Sequence, residues 1–412
     1  MPARGMVIVG AGEAGCRAAV ALREKDYEGT VTLINGERHM PYERPPLSKG
    51  SPGRAATTII TEAELAALRI DHLSSTTAAA IDRSSREVAL QDGRRVPYEK
   101  LLLATGASPR SLTGVAAHDR IMTVRTLDDA DRFHGRIRPG IRVAMVGAGF
   151  IGLELAAVAR QQDADVIVIE AQPRILMRGV PSCIGEVLAA RHSEAGVVIE
   201  TGSVILGIHA GDEAATIELA GSKAVKADLV VVGIGATPNT ELAHACGLAC
   251  HDGIQVDLNL QTGDANIFAA GDCCSFPAAL FGDRRIRIES WRSAREQGEH
   301  AAIAMLGSRE PFVNVPWFWS DQYELGLQVV GLTRNDGTSI VRTMNDGAVI
   351  VFQLAPDGTM VFAGGIARGT SIARDIKIAE AMIRNRVSPD PVCLADADIK
   401  LKTLLAPKVA MS

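Results

Sequence analysis

The chain has 412 residues, 47% of them hydrophobic and 22% charged, which is enough for about two to four domains with cores of their own and too apolar for intrinsic disorder. A net charge of −5 leaves no general electrostatic footprint for nucleic acid or an anionic membrane, and no apolar run approaches the 18 or so residues that span a bilayer. The seven cysteines, irregularly spaced at Cys16, Cys183, Cys246, Cys250, Cys273, Cys274 and Cys393, exclude a secreted disulfide framework and fit a reducing cytoplasm.

Met6-Val7-Ile8-Val9 reads as a strand that ends in Gly10-Ala11-Gly12-Glu13-Ala14-Gly15 and passes into an Ala-rich helix over 16–25. Glu13 and the glycines interrupt the run after Arg4 before the apolar core of a secretion signal forms. A second strand over 30–34 ends near Glu37, and 101–104 is a buried-strand pattern running into Gly106. The opening unit then recurs: Arg142 to Val146 leads into Gly147-Ala148-Gly149-Phe150-Ile151-Gly152, a helix over 153–160, and a strand over 166–169 that ends at Glu170. Further buried-strand patterns run from Leu229 into Gly233 and from Ile267 through Ala270-Gly271 into Asp272. Near the C-terminus, 326–330, 339–342, 348–354 and 360–366 read as strands, and Ile376, Ala379 and Ile383 mark one face of a helix.

Each G-x-G-x-x-G stands between a strand and a helix. There the first glycine makes the turn, the second admits a pyrophosphate to the backbone, and the third lets helix and strand pack closely. The phosphate meets a helix N-terminus, whose free N–H groups and dipole favour an anion. Glu37 and Glu170 lie roughly twenty residues past their loops, where a carboxylate would hold a ribose. Two such units predict two dinucleotides, with FAD and a nicotinamide the natural pair. Asp272 stands at the end of a parallel strand, where ligands bind, or alternatively caps the next helix.

The chain resembles the FAD-dependent NADH:ferredoxin reductases of the putidaredoxin reductase and biphenyl dioxygenase reductase type. The resemblance is carried by 42–49 (Tyr-Glu-Arg-Pro-Pro-Leu-Ser-Lys), 269–273 (Ala-Ala-Gly-Asp-Cys), 287–291 (Arg-Ile-Glu-Ser-Trp) and 316–323 (Pro-Trp-Phe-Trp-Ser-Asp-Gln-Tyr). It implies an α/β fold with two Rossmann-like dinucleotide-binding domains, glutathione-reductase-like, plus a C-terminal α+β domain. The expected boundaries are 1–112 and 240–315 for the two FAD-binding segments, 113–239 for the NADH-binding domain, and 316–412 for the C-terminal domain.

The same resemblance implies that FAD is held by Gly10, Gly12, Ala14, Gly15, Arg44, Lys49, Ala78, Arg125, Asp272 and Trp291. Arg44 and Arg125 also read as ordinary surface arginines and Ala78 as core. Members place an acid at the position of Gly36, so Glu37 is the candidate for the FAD ribose. Gly147, Gly149, Ile151 and Gly152 would approach the NAD pyrophosphate. Glu170 would take its ribose and repel a 2′-phosphate, with Arg174 as the residue that would spoil the argument. Lys49 would lie beside flavin N5 and Glu154 near the nicotinamide, with an ion pair between them; two unrelated surface charges is the alternative.

A C-x4-C or C-x2-C redox pair is missing, and Cys246 and Cys250, spaced as on a helix, read as small apolar residues. Electrons are therefore expected to leave the chain for an outside acceptor; the resemblance implies a [2Fe–2S] ferredoxin that feeds a cytochrome P450 or Rieske-type oxygenase, with Trp291 on the route. The alternatives are a rubredoxin reductase, an NADH oxidase or a flavin-binding redox-sensing or interaction protein. Arg284, Arg285, Arg287, Arg292 and Arg295 form a local basic run, and alternation sets Arg285 and Arg287 outward as a docking surface for an acidic ferredoxin, or as a solvated strand edge.

Overall fold

The computed structural model describes residues 4–50 and 56–405; 1–3 and 406–412, assigned above to the outermost domains, lie outside the described residues. The chain forms two compact units. One comprises Met1–Arg44, Ala55–Ser108 and Ala236–Pro316, and the other Pro45–Arg54, Pro109–Gly235 and Trp317–Ser412.

In the first unit, strands Ile70–Leu73, Val31–Ile34, Gly5–Val9, Arg95–Leu103 and Ile267–Ala269 run parallel in that spatial order. Arg95–Leu103 has two jobs. Its first half joins an antiparallel meander with Glu87–Leu90 and Ala78–Asp82. Its second half, Leu101-Leu102-Leu103, lies between Gly5–Val9 and Ile267–Ala269 and is fully buried. A sheet covered on both faces requires such a continuous apolar run rather than an alternating one. The helix expected over 16–25 spans Glu13–Glu24: it starts directly behind Gly12, so the third glycine of the loop sits inside its first turn. It crosses helix Trp291–Met305, and small residues at the crossing, among them Ala14, Ala18, Ala294 and Gly298, let the backbones approach.

The second unit repeats the plan with parallel strands Val198–Glu200, Asp165–Ile169, Arg142–Val146, Leu229–Val232 and Ile121–Met122. A three-stranded meander, Ile205–Ala210, Ala215–Leu219 and Lys223–Ala227, shares buried residues with one face of that sheet. The unit also holds a five-stranded antiparallel sheet in the order Trp317–Gln322, Leu325–Gly331, Met360–Arg368, Val349–Leu354, Thr338–Thr343, against which helix Ala373–Arg384 packs through Ile376, Ala379 and Ile383. Its first strand was not read from the sequence as a strand. Trp317, Phe318 and Trp319 are consecutive aromatics, and all three are half-buried, so no polar alternation marks the edge. Tyr323 and Glu324 turn the chain back, with Gln322 paired to Leu325 and Tyr323 in the left-handed region at φ 55°.

The helix crossing in the first unit is testable. A Cβ on Gly298 would lie 2.3 Å from the backbone oxygen of Ala14. Gly298→Ala should therefore cost about 1–3 kcal/mol by overpacking, seen as a lower midpoint in urea unfolding of the intact protein. An unchanged midpoint would show that the helices separate freely.

Candidate functional site

The first glycine loop is shaped by its neighbours. Gly10 has φ 108°, and a Cβ there would fall 2.1 Å from the carbonyl oxygen of Ala104, so no other residue fits the turn. Beside Gly12, by contrast, nothing lies within 4 Å of where a Cβ would be. The helix behind it begins at an extended Gly12 with no side-chain cap. An open cradle at an uncapped helix N-terminus fits a pyrophosphate. Ala14 and Gly15 form the buried first turn, and a Cβ on Gly271 would come within 3.1 Å of the Ala14 side chain. This contact sets the Asp272 turn against the loop. Asp272 does not cap a helix: the next long one starts at Trp291, and its cap is Ser290, which accepts from Ser293 N–H. The turn is anchored instead by Gly271 N–H donating to Gln297 Oε1 at 2.8 Å.

Glu37 follows the second strand, its backbone N–H donating to Asn35 Oδ1 at 3.0 Å. Its carboxylate accepts from Arg44 Nη2 at 2.7 Å and from the Tyr42 hydroxyl. The candidate ribose acid and the candidate FAD arginine are thus brought together, and Ala78 is buried in the first residue of its strand.

One residue of this site was missed. Glu13 occupies a variable position of the first glycine loop, and its side chain faces the indole of Trp291, together with Glu43, Arg295 and Arg17. Arg295 also lies over the Trp291 ring at 5.7 Å. Burial, reinforced by Glu43, raises the Glu13 carboxyl from 4.5 to about 7 against the pull of Arg295, Trp291 and Arg17. The signal was an acid inside a loop whose neighbours receive an anion, and Trp291 on a distant helix supplies its other wall.

In the second unit, Gly147 has φ 100° and a Cβ on it would meet the carbonyl oxygen of Gly233 at 2.5 Å. Helix Phe150–Gln161 again begins at an extended, uncapped glycine, Gly149, with Ile151 46% exposed and Gly152 buried in the first turn. Glu170 reaches back to this loop, accepting from Ala148 N–H at 2.7 Å and from Gln172 N–H at 2.8 Å. Arg174 turns away from it: its guanidinium donates to the carbonyls of Ile175, Met177 and Val180 at 3.1 to 3.3 Å.

Lys49 and Glu154 meet. Lys49 Nζ is 3.3 Å from Glu154 Oε1, the glutamate is only 5% exposed, and Lys49 also lies 5.0 Å over the Trp319 ring. Ser48 and Ser320 hydroxyls both donate to the same carboxylate, so the two-surface-charges alternative is excluded. Arg125 stands just before helix Leu127–His134, its backbone N–H on Asp129 Oδ2 at 3.2 Å.

Two expectations need correction. Arg287 does not face outward: its side chain is 10% exposed, with Nε 2.9 Å from Asp252, and with Nη1 on Glu289 and on the Asp272 carbonyl. The strand is only Arg284–Ile286, so alternation ends before residue 287. Arg292 and Arg295 pair with Glu296 and Glu299, Arg295 remaining exposed, and Arg284 and Arg285 are the exposed members on the strand. Cys246 and Cys250 do not share a helix, because Glu241–Ala245 stops at Cys246. All seven cysteines are free, and burial pushes the thiols of Cys16, Cys273 and Cys274 up. No described helix is long and apolar enough to cross a membrane.

Comparison with known proteins places this geometry. The pyridine nucleotide-disulphide oxidoreductase family matches residues 4–298, and the reductase C-terminal family matches 317–405. The chain belongs to the pyridine nucleotide-disulphide oxidoreductase family. It is 40% identical to the ferredoxin–NAD(+) reductase component of the anthranilate 1,2-dioxygenase system of Burkholderia cepacia, over 98% of this chain and 100% of that one. Identity to putidaredoxin reductase of Pseudomonas putida is 34%, over 97% and 96%. Among solved structures, the covalent putidaredoxin reductase–putidaredoxin complex superposes with a TM-score of 0.91 at 33% identity, covering 98% of each chain. A ferredoxin reductase from Rhodopseudomonas palustris gives 0.92 at 34%, covering 98% and 100%. The fold is that of the two-dinucleotide-binding flavoproteins, and members of this kind use FAD and NAD.

Two predictions follow from these sites. Because the folded state holds a proton on Glu13 more tightly than the unfolded chain does, stability should fall as pH rises from 4.5 to about 7 and then level off. Glu13→Gln should flatten that slope in melting temperatures taken across the window, and an unaltered slope would reassign it. Glu170→Arg should weaken NADH and improve NADPH, each by on the order of 10-fold in kcat/KM. Unchanged values for both would remove Glu170 from the ribose.

Proposed function

We propose that this protein is an FAD-dependent NADH:ferredoxin oxidoreductase that delivers single electrons to a [2Fe–2S] ferredoxin serving a cytochrome P450 or Rieske-type oxygenase. The observation that carries the reading is a pair of glycine loops of one plan in a chain whose seven cysteines are all free and whose most internal thiols are held protonated by burial. Thiols buried and held protonated are poor relays, so electrons taken from a nicotinamide would leave for an outside acceptor. Full-length similarity to proteins named as ferredoxin reductases supports that acceptor's identity.

The chemistry supplied by bound FAD and NADH is hydride transfer followed by one-electron delivery; the chain supplies position and charge. The Gly12 and Gly149 cradles would receive the two pyrophosphates on helix N-termini. Glu170 would accept hydrogen bonds from the ribose hydroxyls of the nicotinamide cofactor, and Arg174, committed to backbone carbonyls, does not offer itself to a 2′-phosphate. Arg44 and Glu37 would serve the adenosine side of FAD, with Ala78 packed nearby as wall and Asp272 and Arg125 binding through their own segments. Lys49, held by Glu154 at 3.3 Å, would set a positive charge beside bound flavin, where it would favour the reduced, anionic form. Trp291, at the start of its helix, would face the flavin ring and shorten the route outward.

For docking, Arg284 and Arg285 are the candidates: both residues are exposed, although Arg285 Nη1 donates to the carbonyls of Val256 and Ser275. The Arg284→Glu, Arg285→Glu double variant should slow NADH-driven reduction of an acidic [2Fe–2S] ferredoxin at low salt. The defect should shrink toward 1 M salt, where the Debye length is about 3 Å. Ferricyanide reduction should be unaffected. Equal slowing of both acceptors would place docking elsewhere. Failure of the wild-type protein to reduce any ferredoxin, while consuming oxygen or reducing rubredoxin, would replace the proposed function.

A further inference from the structure

Glu154 is the end of a longer chain of buried polar side chains, all within the second unit. Ser320 Oγ lies 2.5 Å from Glu154 Oε1, Gln322 Nε2 lies 3.0 Å from Ser320 Oγ, and His192 Nε2 lies 2.8 Å from Gln322 Oε1. Ser320, Gln322 and His192 are each at most 3% exposed. Beyond them the hydroxyl of Tyr323 is 3.3 Å from His192 Nδ1, and its ring stands edge-on to the imidazole at 5.1 Å. Tyr323 is also the left-handed residue of the hairpin turn, and Arg191 lies over its ring at 4.2 Å while pairing with Glu324. A strained turn held by a cation, an ion pair and a hydrogen bond is over-determined, as strained residues at working sites are.

The hydrogen positions follow from donor chemistry. A carboxylate only accepts, so Ser320 gives its proton to Glu154 and must accept from Gln322. The amide nitrogen of Gln322 therefore faces Ser320, and its oxygen accepts from His192, which carries its proton on Nε2. Nδ1 is left to accept from Tyr323, so the imidazole is neutral, the form that burial favours. Every donor in the row points the same way, from the hairpin tip toward Glu154, and aligned bonds of this kind reinforce one another. Residues 320 and 322 share a strand face by period 2, while Trp319 on the other face lies under Lys49.

We propose that Ser320, Gln322 and His192 are positioning residues for the Lys49–Glu154 pair: a one-way row of donors that holds the Glu154 carboxylate in place against the lysine. Its bearing on hydride transfer rests on the function proposed above. The row's effect on Lys49 does not.

The test uses FAD-loaded protein and two measurements: the acetylation rate of Lys49 by trace acetic anhydride, read by peptide mass spectrometry, and the rate of flavin reduction by NADH in stopped flow. Gln322→Glu keeps size and keeps an acceptor for His192 but cannot donate to Ser320, so the serine proton is drawn away from Glu154. Ser320→Ala removes the link without adding charge, and Ser320→Thr restores the hydroxyl. We expect Gln322→Glu and Ser320→Ala to speed acetylation of Lys49 about threefold or more, as release of a half-buried ion pair allows, and to slow flavin reduction on the order of 10-fold through misplacement. Ser320→Thr should bring both back toward wild type. Unchanged Lys49 acetylation in folded Ser320→Ala overturns the proposal, whatever Gln322→Glu does to folding. Faster acetylation with an unchanged reduction rate upholds the row and removes Lys49 and Glu154 from the hydride step.

Discussion

A carboxylate almost wholly withdrawn from water must be met by donors, or its burial destabilises the protein by roughly 3–5 kcal/mol. Glu154 is that carboxylate, and its donors come from far away in sequence: Ser48 lies 106 residues before it and Ser320 lies 166 after. The requirement ties the turn Pro45–Ser48 and the strand Trp317–Gln322 to helix Phe150–Gln161. That helix starts at the second glycine loop, so the charge pair and that loop are placed by the same rigid element. Phe150 and Phe318, stacked edge to face at 4.9 Å, seal the apolar side of the same joint.

The two glycine loops show how one local solution is used twice with different surroundings. In both, the first glycine is pressed against a carbonyl at the end of a neighbouring parallel strand, Ala104 in one and Gly233 in the other. Closeness there fixes the turn and leaves the open space at the second glycine. The acids differ. Glu170 is bonded to the backbone of its own loop, whereas Glu37 is bonded to the arginine and tyrosine of a later segment. The second glycine loop is thus braced locally, while the acid beyond the first is held by residues gathered from further along the chain.

What the sequence disclosed follows this division. Strand, glycine loop, helix and acid are local signals, and both strand–loop–helix units stand where those signals put them; the ion pair of Lys49 with Glu154 was legible through a resemblance in short motifs. Alternation failed at Arg287 because a three-residue strand is too short to carry a period, and the chain had already turned inward to the Asp272 carbonyl. Helical spacing failed at Cys246 and Cys250 because the helix stops at the first of them. The Ser320–Gln322–His192 row was invisible for another reason: its members are 130 residues apart at one step, and a neutral histidine, a glutamine and a serine carry no spacing signature until a sheet and a helix are packed together. Glu13 lay in plain view, but only the packing of a distant tryptophan against it makes its burial a fact.

The buried thiols bear on durability. Cys273 and Cys274 directly follow Asp272, and neither is exposed at all. Oxidants such as peroxide attack thiolates, not thiols, and need access to the sulfur. A protein that handles reducing equivalents in the presence of oxygen works close to a source of such oxidants. By keeping these sulfurs protonated and out of reach, the fold denies sulfenic acid formation a foothold in the turn that carries Asp272. The turn is therefore shielded from sulfur oxidation by its own packing.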